Sequence, residues 1–288
     1  LVGSSGVKIA RLYSEQKPTK VVVVIGKQAP KAVPDTVKSN ICRYFAFFIG
    51  KSRSFCQDNP KCIRTSRILS MYLVKTPKLV QALWPTCLWH IPTREKVLYL
   101  TFDDGPIPDV TPWVLNTLLA YDAKATFFCV GENVDRNPDI FRRLLAEGHS
   151  VGNHTHNHLN GWDTETTKYL HNVRHCARKV QSNLFRPPYG RLRPQQGAFL
   201  ERHYKIVFWD VLSGDFDPAL SAEQCLNNIV ENARPGSIIV LHDSLKTVAK
   251  LRHVLPALLE YYIAKGFRFE AIPATKPVSY PAESMQPH

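Results

Sequence analysis

Four short segments carry residue types that could do chemistry together. Asp103-Asp104-Gly105 sets two carboxylates side by side where an apolar, β-prone run ends (Val97 to Phe102). Successive residues leaving a strand point to different sides, so one carboxylate can bind a metal while the other accepts a proton. His154-Thr-His-Asn-His158 places three imidazoles in five residues. His154 and His158 share a face if the segment is helical, His154 and His156 if it is extended. With a carboxylate from elsewhere, such imidazoles suit Zn²⁺ or a similar divalent ion with an open coordination position. Arg186-Pro-Pro-Tyr-Gly190 is a rigid turn whose two prolines fix the backbone and leave the Tyr189 N–H free to face a ligand. Its Arg can pair with a carboxylate and set that group's ionisation. His242-Asp243 offers a general acid with a neighbour. Taken singly, each has a structural explanation: an Asp-Gly turn, a solvated His-rich loop, a proline turn with a surface Arg, a helix cap.

The elements around these segments give them a common address. From Lys96 onward, strand-like and helix-like stretches alternate. Strands are expected at Val97 to Phe102, Ala125 to Val130, Ser150 to Asn153, Phe185, Lys205 to Asp210, Ser237 to Leu241 and Phe267 to Ile272. Helices are expected at Thr111 to Tyr121, Asp139 to Glu147, Asp163 to Ser182, Ala222 to Ala233 and Leu251 to Lys265. Strands spaced by helices imply parallel βαβ units, hence an open α/β sheet or a closed barrel. In such folds chemistry collects at the C-terminal ends of the strands, where all four segments fall. They should therefore converge on one mouth.

Composition narrows the classes further. The net charge of +13 suggests an anionic partner, but residues 1–70 hold 13 Lys/Arg against 3 acids, leaving the rest nearly balanced. Residues 1–70 are thus expected to be a basic N-terminal extension, disordered or not part of the native protein, with Met71 as the real start. A basic appendage touching an anionic surface is the rival view, and no nucleic acid is expected for residues 71–288. Residues 71–95 read as a lead-in and 274–288 as a loose tail. The seven Cys (42, 56, 62, 87, 129, 176 and 225) have no CxxC spacing and read as buried thiols. No apolar run approaches the ~20 residues that span a bilayer, and no export signal surrounds the longest ones, so the compartment is left open between the cytoplasm and a peripheral association with the cell envelope.

Read in order, TFDDGP (101–106), HTHNH (154–158), RPPYG (186–190) and the LH of VLHD (240–243) resemble the polysaccharide deacetylases related to NodB, carbohydrate esterase family four. The resemblance covers residues 96–273. It implies a distorted (β/α) barrel of parallel strands, fewer than eight in number, with the motifs around one groove. It implies Asp103 as catalytic base, Asp104, His154 and His158 as metal ligands, and Arg186 as the group that orients Asp103. The Tyr189 backbone N–H would help hold an oxyanion, and His242 would be the general acid; His156 falls where the family has no ligand. The family's Asp-x-x-Asp-Trp motif stands here as Leu212-Ser-Gly-Asp215-Phe216. Asp215 remains to tune His242, and the departure lies at the acid step. Phe216 and Leu241 are expected to wall the acetyl methyl, and Tyr189 and Trp162 to meet sugar rings; core packing is expected for Trp209. The implied reaction is hydrolysis of an N-acetyl group on an amino-sugar polymer or oligomer, peptidoglycan or chitin-like, with a divalent metal: Zn²⁺ first, Co²⁺ or Ni²⁺ next. The alternatives are an amidase acting on a small non-sugar amide and a catalytically weak carbohydrate-binding relative.

Overall fold

A computed structural model describes residues 72–275. The expectations for residues 1–70, for Met71 as a start, for Cys42, Cys56 and Cys62, and for most of the tail lie outside the described residues. No helix among the described residues is long and apolar enough to cross a membrane, and the four described cysteines are free and buried.

Seven parallel strands form a curled half-barrel with helices on its outside. They are β1 (Val97–Asp103), β2 (Ala125–Cys129), β3 (Ser150–Asn153), β4 (Leu184–Phe185), β5 (Lys205–Ile206), β6 (Val211–Leu212) and β7 (Ile238–His242), in spatial order β5-β4-β3-β2-β1-β7-β6. A two-residue strand, β8 (Arg268–Phe269), pairs with the start of β1. All seven residues of β1 are buried, as expected of a central parallel strand covered on both faces. Its side chains alternate between two cores. Leu98, Leu100 and Phe102 join the helix-side core with Ile239, Leu241, Leu255 and Leu258. Val97 and Tyr99 join the inner core with Phe128, Leu184, Val207 and Ile238. By the same alternation Thr101 and Asp103 continue the inner face towards the strand ends.

The helices fall close to where their periodicity places them: Thr111–Ala120, Pro138–Ala146, Ala222–Asn232 and Val248–Ala264. The expected helix from Asp163 to Ser182 is shorter, Thr166–Ala177. The Glu165 carboxylate caps it by accepting from the N–H groups of Thr167 and Lys168. The expected strand from Lys205 to Asp210 stops at Ile206, as β5, and β6 begins only at Val211. Between them the Val207 and Phe208 carbonyls turn to accept from Arg186, so they are lost to any ladder.

The lead-in has a structural role that its sequence does not announce. Leu88 bridges Val207, Lys75 bridges Val211 and His90 bridges Ser237, so residues 75–90 run along the gap between β5 and β6. Leu88 and Ile91 pack against the inner core. Fully buried Asp210 holds the strip in place, accepting from Lys75 Nζ at 2.6 Å and from the Ser237 hydroxyl at 2.6 Å. Burial opposes its ionisation, but bonds from His90, Lys75 and Ser237 outweigh that and hold its carboxyl well below the usual range. A depressed carboxyl stabilises the fold fully above the unfolded-state value of about 3.9 and loses that contribution progressively as pH falls from there to its own lower value. Asp210→Asn should cost about 1.5–3 kcal/mol in urea unfolding at neutral pH. The difference from wild type should shrink below pH ~4.

Candidate active site

The four segments meet at the C-terminal mouth of the half-barrel. β1 and β7 pair in register with Asp103 opposite His242, so these two side chains leave adjacent strands at the same height. Asp103 is buried, and its Oδ1 accepts from Arg186 Nη1 at 2.7 Å. The same Nη1 donates to the Thr101 hydroxyl at 2.7 Å, while Nε and Nη2 donate to the Val207 and Phe208 carbonyls at 3.2 and 2.9 Å. The guanidinium lies over the Phe128 ring, 4.1 Å from its centroid. Gly152 makes room for that ring, since a Cβ there would stand 2.5 Å from it. Burial alone pulls the Arg186 pKa down, against the pull of the Asp103 charge.

Asp104, His154 and His158 each present one ligand atom, all within 4.8 Å of one another. His158 Nε2 lies 3.1 Å and His154 Nε2 3.9 Å from Asp104 Oδ1. The His154 Nδ1 lies 2.8 Å from the Arg186 carbonyl oxygen, which can only accept. The proton is therefore on Nδ1, and Nε2 turns its lone pair towards Asp104. Burial pushes the His154 pKa down to about 4, which keeps the ring neutral. Burial works the other way at Asp104, but His158, His242 and His154 outweigh it and hold its carboxyl well below the usual range. Asp104 Oδ1 is buried and, among the described residues, makes no aligned hydrogen bond. Two imidazoles, one of them held neutral by burial, and an ionised carboxylate with a lone pair to spare fit a divalent cation.

His242 is served by one acid. Asp215 Oδ1 lies 2.7 Å from His242 Nδ1, and its Oδ2 accepts the His242 backbone N–H at 2.7 Å. Burial would lower the imidazole pKa, but the Asp215 charge and hydrogen bond lead the effects that raise it to about 10. Leu212, where the family pattern has its first Asp, is buried in β6 beside Val240. Phe216 is 42% exposed and meets the His242 ring edge-on at 5.5 Å. Tyr189, 56% exposed, meets His158 at 4.7 Å. Arg191 bridges Tyr189 to Trp162, its guanidinium 5.9 and 5.1 Å from the two rings. The backbone here is strained: Asp104, Thr155, His158 and Tyr189 all have positive φ (84°, 63°, 54° and 61°). Such conformations cost roughly 1–3 kcal/mol each and persist only where their surroundings enforce them.

Two expectations need amendment. Leu241 does not wall the mouth: it is fully buried in the helix-side core, because a residue next to inward-facing His242 must point outward. The loop bearing His154 and His158 is neither helix nor strand; positive φ at Thr155 and His158 brings those two rings together. Sequence reasoning also left Asp243 without a task. Its Oδ1 accepts the Gly105 N–H at 3.0 Å, its Oδ2 the Thr111 hydroxyl at 2.5 Å, and its own N–H donates to the Asp103 carbonyl. Burial pushes this carboxyl up to about 8 despite the Thr111 bond. The pairing of β1 with β7 was the one signal that could have found it.

A parallel half-barrel with an acid–imidazole mouth of this kind defines a hydrolase scaffold of known type. The sequence model described as polysaccharide deacetylase matches residues 90–205. A peptidoglycan-N-acetylglucosamine deacetylase of Bacillus cereus is 36% identical over 195 residues, spanning 64% of this chain and 90% of that protein. A chitooligosaccharide deacetylase of Azorhizobium caulinodans is 35% identical over 207 residues, spanning 64% and 96%. The crystal structure of the Bc1960 peptidoglycan N-acetylglucosamine deacetylase superposes with a TM-score of 0.62 at 31% identity, covering 65% of this chain and 91% of that one. The chain belongs to the polysaccharide deacetylase family and is an enzyme of that class.

Gly105 is the site's tightest point, since a Cβ there would stand 2.1 Å from Asp243 Oδ2. Gly105→Ala should lower stability by about 1–3 kcal/mol in thermal unfolding. It should also weaken divalent-metal binding in equilibrium dialysis, because the turn that carries Asp104 must shift.

Proposed function

We propose that this chain hydrolyses the N-acetyl group of N-acetylglucosamine units in peptidoglycan or a chitin-like polymer, releasing acetate. The observation that carries the reading is the Arg186-held Asp103 in register with His242, beside the trio of Asp104, His154 and His158. The names of the similar proteins support an amino-sugar substrate. The catalytic unit on this reading is residues 96–273 with the lead-in from residue 72.

Asp104, His154 and His158 would hold a divalent ion, Zn²⁺ before Co²⁺ or Ni²⁺. Such an ion supplies Lewis acidity, lowering the pKa of a water and polarising a carbonyl. Asp103 takes the proton from the attacking water at the carboxylate that Arg186 keeps oriented. The backbone N–H of Tyr189, on its left-handed turn, donates to the developing oxyanion. His242 gives its proton from Nε2 to the departing amine, since an amine anion cannot leave. Asp215 keeps that imidazole protonated at neutral pH, so no first Asp is needed at position 212 to hold it. Phe216 beside His242 meets the acetyl methyl; Tyr189 beside His158, with Trp162 beyond it, stacks on sugar rings.

Acetate release from chitooligosaccharides and from peptidoglycan, with added Zn²⁺ or Co²⁺, is the direct test. Chelator should abolish it. Asp103→Asn keeps an acceptor for Arg186 and should retain metal while losing roughly 10²–10⁴-fold in rate. Failure to release acetate from any such polymer, with metal bound, would turn the assignment towards a small-amide amidase or a binding protein. The rate should fall as pH rises through His242's value of about 10. Asp215→Asn removes the leading effect that raises it, so the alkaline limb of kcat/KM should move to lower pH.

A further inference from the structure

His156 lies between two residues of the active-site trio yet turns away from them. It is 9% exposed and packs against Gly131, where a Cβ would stand 2.6 Å from its Nδ1. On this second side it meets His175, from the helix Thr166–Ala177, with ring centroids 3.7 Å apart and planes 25° from parallel. Asp135, from the helix Gly131–Arg136, completes a second trio: one nitrogen of each ring and a carboxylate oxygen lie within 4.8 Å of one another. We propose that His156, His175 and Asp135 form a second divalent-metal site on the outer flank of the active-site loop.

Three observations converge on this. The donor set is two imidazoles and a carboxylate, which suits Zn²⁺ and its borderline neighbours Co²⁺ and Ni²⁺, with water completing the shell. The Nδ1 of His156 is buried and, among the described residues, has no hydrogen-bond partner. Burying a polar atom unsatisfied is costly, and a coordinate bond removes the cost. The surroundings are also already arranged. The His156 backbone N–H donates to Asn172 Oδ1 at 2.8 Å and its carbonyl accepts the Glu132 N–H at 2.9 Å, so the buried ring is held between the two helices. His175 and Asp135 are exposed, which gives an ion a way in. Stacked rings cannot both aim in-plane lone pairs at one ion, so binding requires the exposed His175 ring to rotate out of the stack. Lys179 Nζ holds one Asp135 oxygen at 2.8 Å and leaves the other available.

Occupancy would pin the loop 154–158 to both helices from behind, while its front face carries His154 and His158. The site's purpose is then to stiffen the active-site loop in proportion to available metal.

Stoichiometry tests this without reference to activity. The full chain, stripped with chelator, is equilibrated with Co²⁺ and bound ions are counted after dialysis, with Co²⁺ absorption as a second readout. Wild type should bind two ions, and His175→Ala and Asp135→Ala one each. His158→Ala should also bind one, and the double variant His158→Ala/His175→Ala none. The ion retained by the single variants shows that they are folded. A single ion in wild type that His158→Ala loses and His175→Ala keeps, or two ions still bound by His175→Ala, overturns the proposal.

Discussion

The guanidinium of Arg186 is fully buried at the centre of the half-barrel, and it is tolerated there because its donors are used. Two bonds go to the inner face of β1, at Thr101 and Asp103, and two to the carbonyls of Val207 and Phe208, with the Phe128 ring beneath. β1 and β4 are not neighbours in the sheet, since β2 and β3 lie between them. One side chain thus crosses the interior and fixes the curl of the sheet by charge rather than by a ladder. A buried pair gains little net stability, because desolvation offsets much of the attraction. What it secures is position: Asp103 cannot rotate without stranding a buried cation. The same residue's carbonyl sets the tautomer of His154. Both halves of the mouth therefore take their orientation from Arg186.

Strand alternation does the remaining placement. Along β1 the inner face passes from Val97 and Tyr99 to Thr101 and Asp103, and along β7 from Ile238 to His242. On the inner faces of these two strands apolar side chains give way to Asp103 and His242 at the C-terminal ends. The active-site residues are extensions of a packed core and share its rigidity. Where the chain leaves the strands, strained backbone at Asp104, Thr155, His158 and Tyr189 turns the next side chains back over the mouth.

Much of this was legible because it depends on local pattern. Continuous apolar runs marked the central strands, and polar clusters at their ends marked the mouth. What escaped depends on contacts between distant residues. The stretch 205–210 looked like one strand, and only the demand of Arg186 for two carbonyls explains its interruption. Leu241 was placed at the mouth by its adjacency to His242, although adjacency in a strand implies opposite faces. His156 looked surplus because its partners, on two separate helices, could not be paired with it by spacing. The docking of the lead-in was not legible, because it rests on isolated bridges from Lys75, Leu88 and His90 to residues far along the chain.

That lead-in has a bearing on how the chain acquires its shape during synthesis. Lys75 and Asp210, which lock the strip into the seam, are 135 residues apart. A ribosome adding about 5–20 residues per second emits the strip roughly 7–27 seconds before its acceptor exists. Throughout that interval Leu88 and Ile91 have no inner core to enter, and the sheet grows outward from β1 with its seam open. The strip is therefore made well before it can dock, and closing the seam is a late event at the ribosome exit.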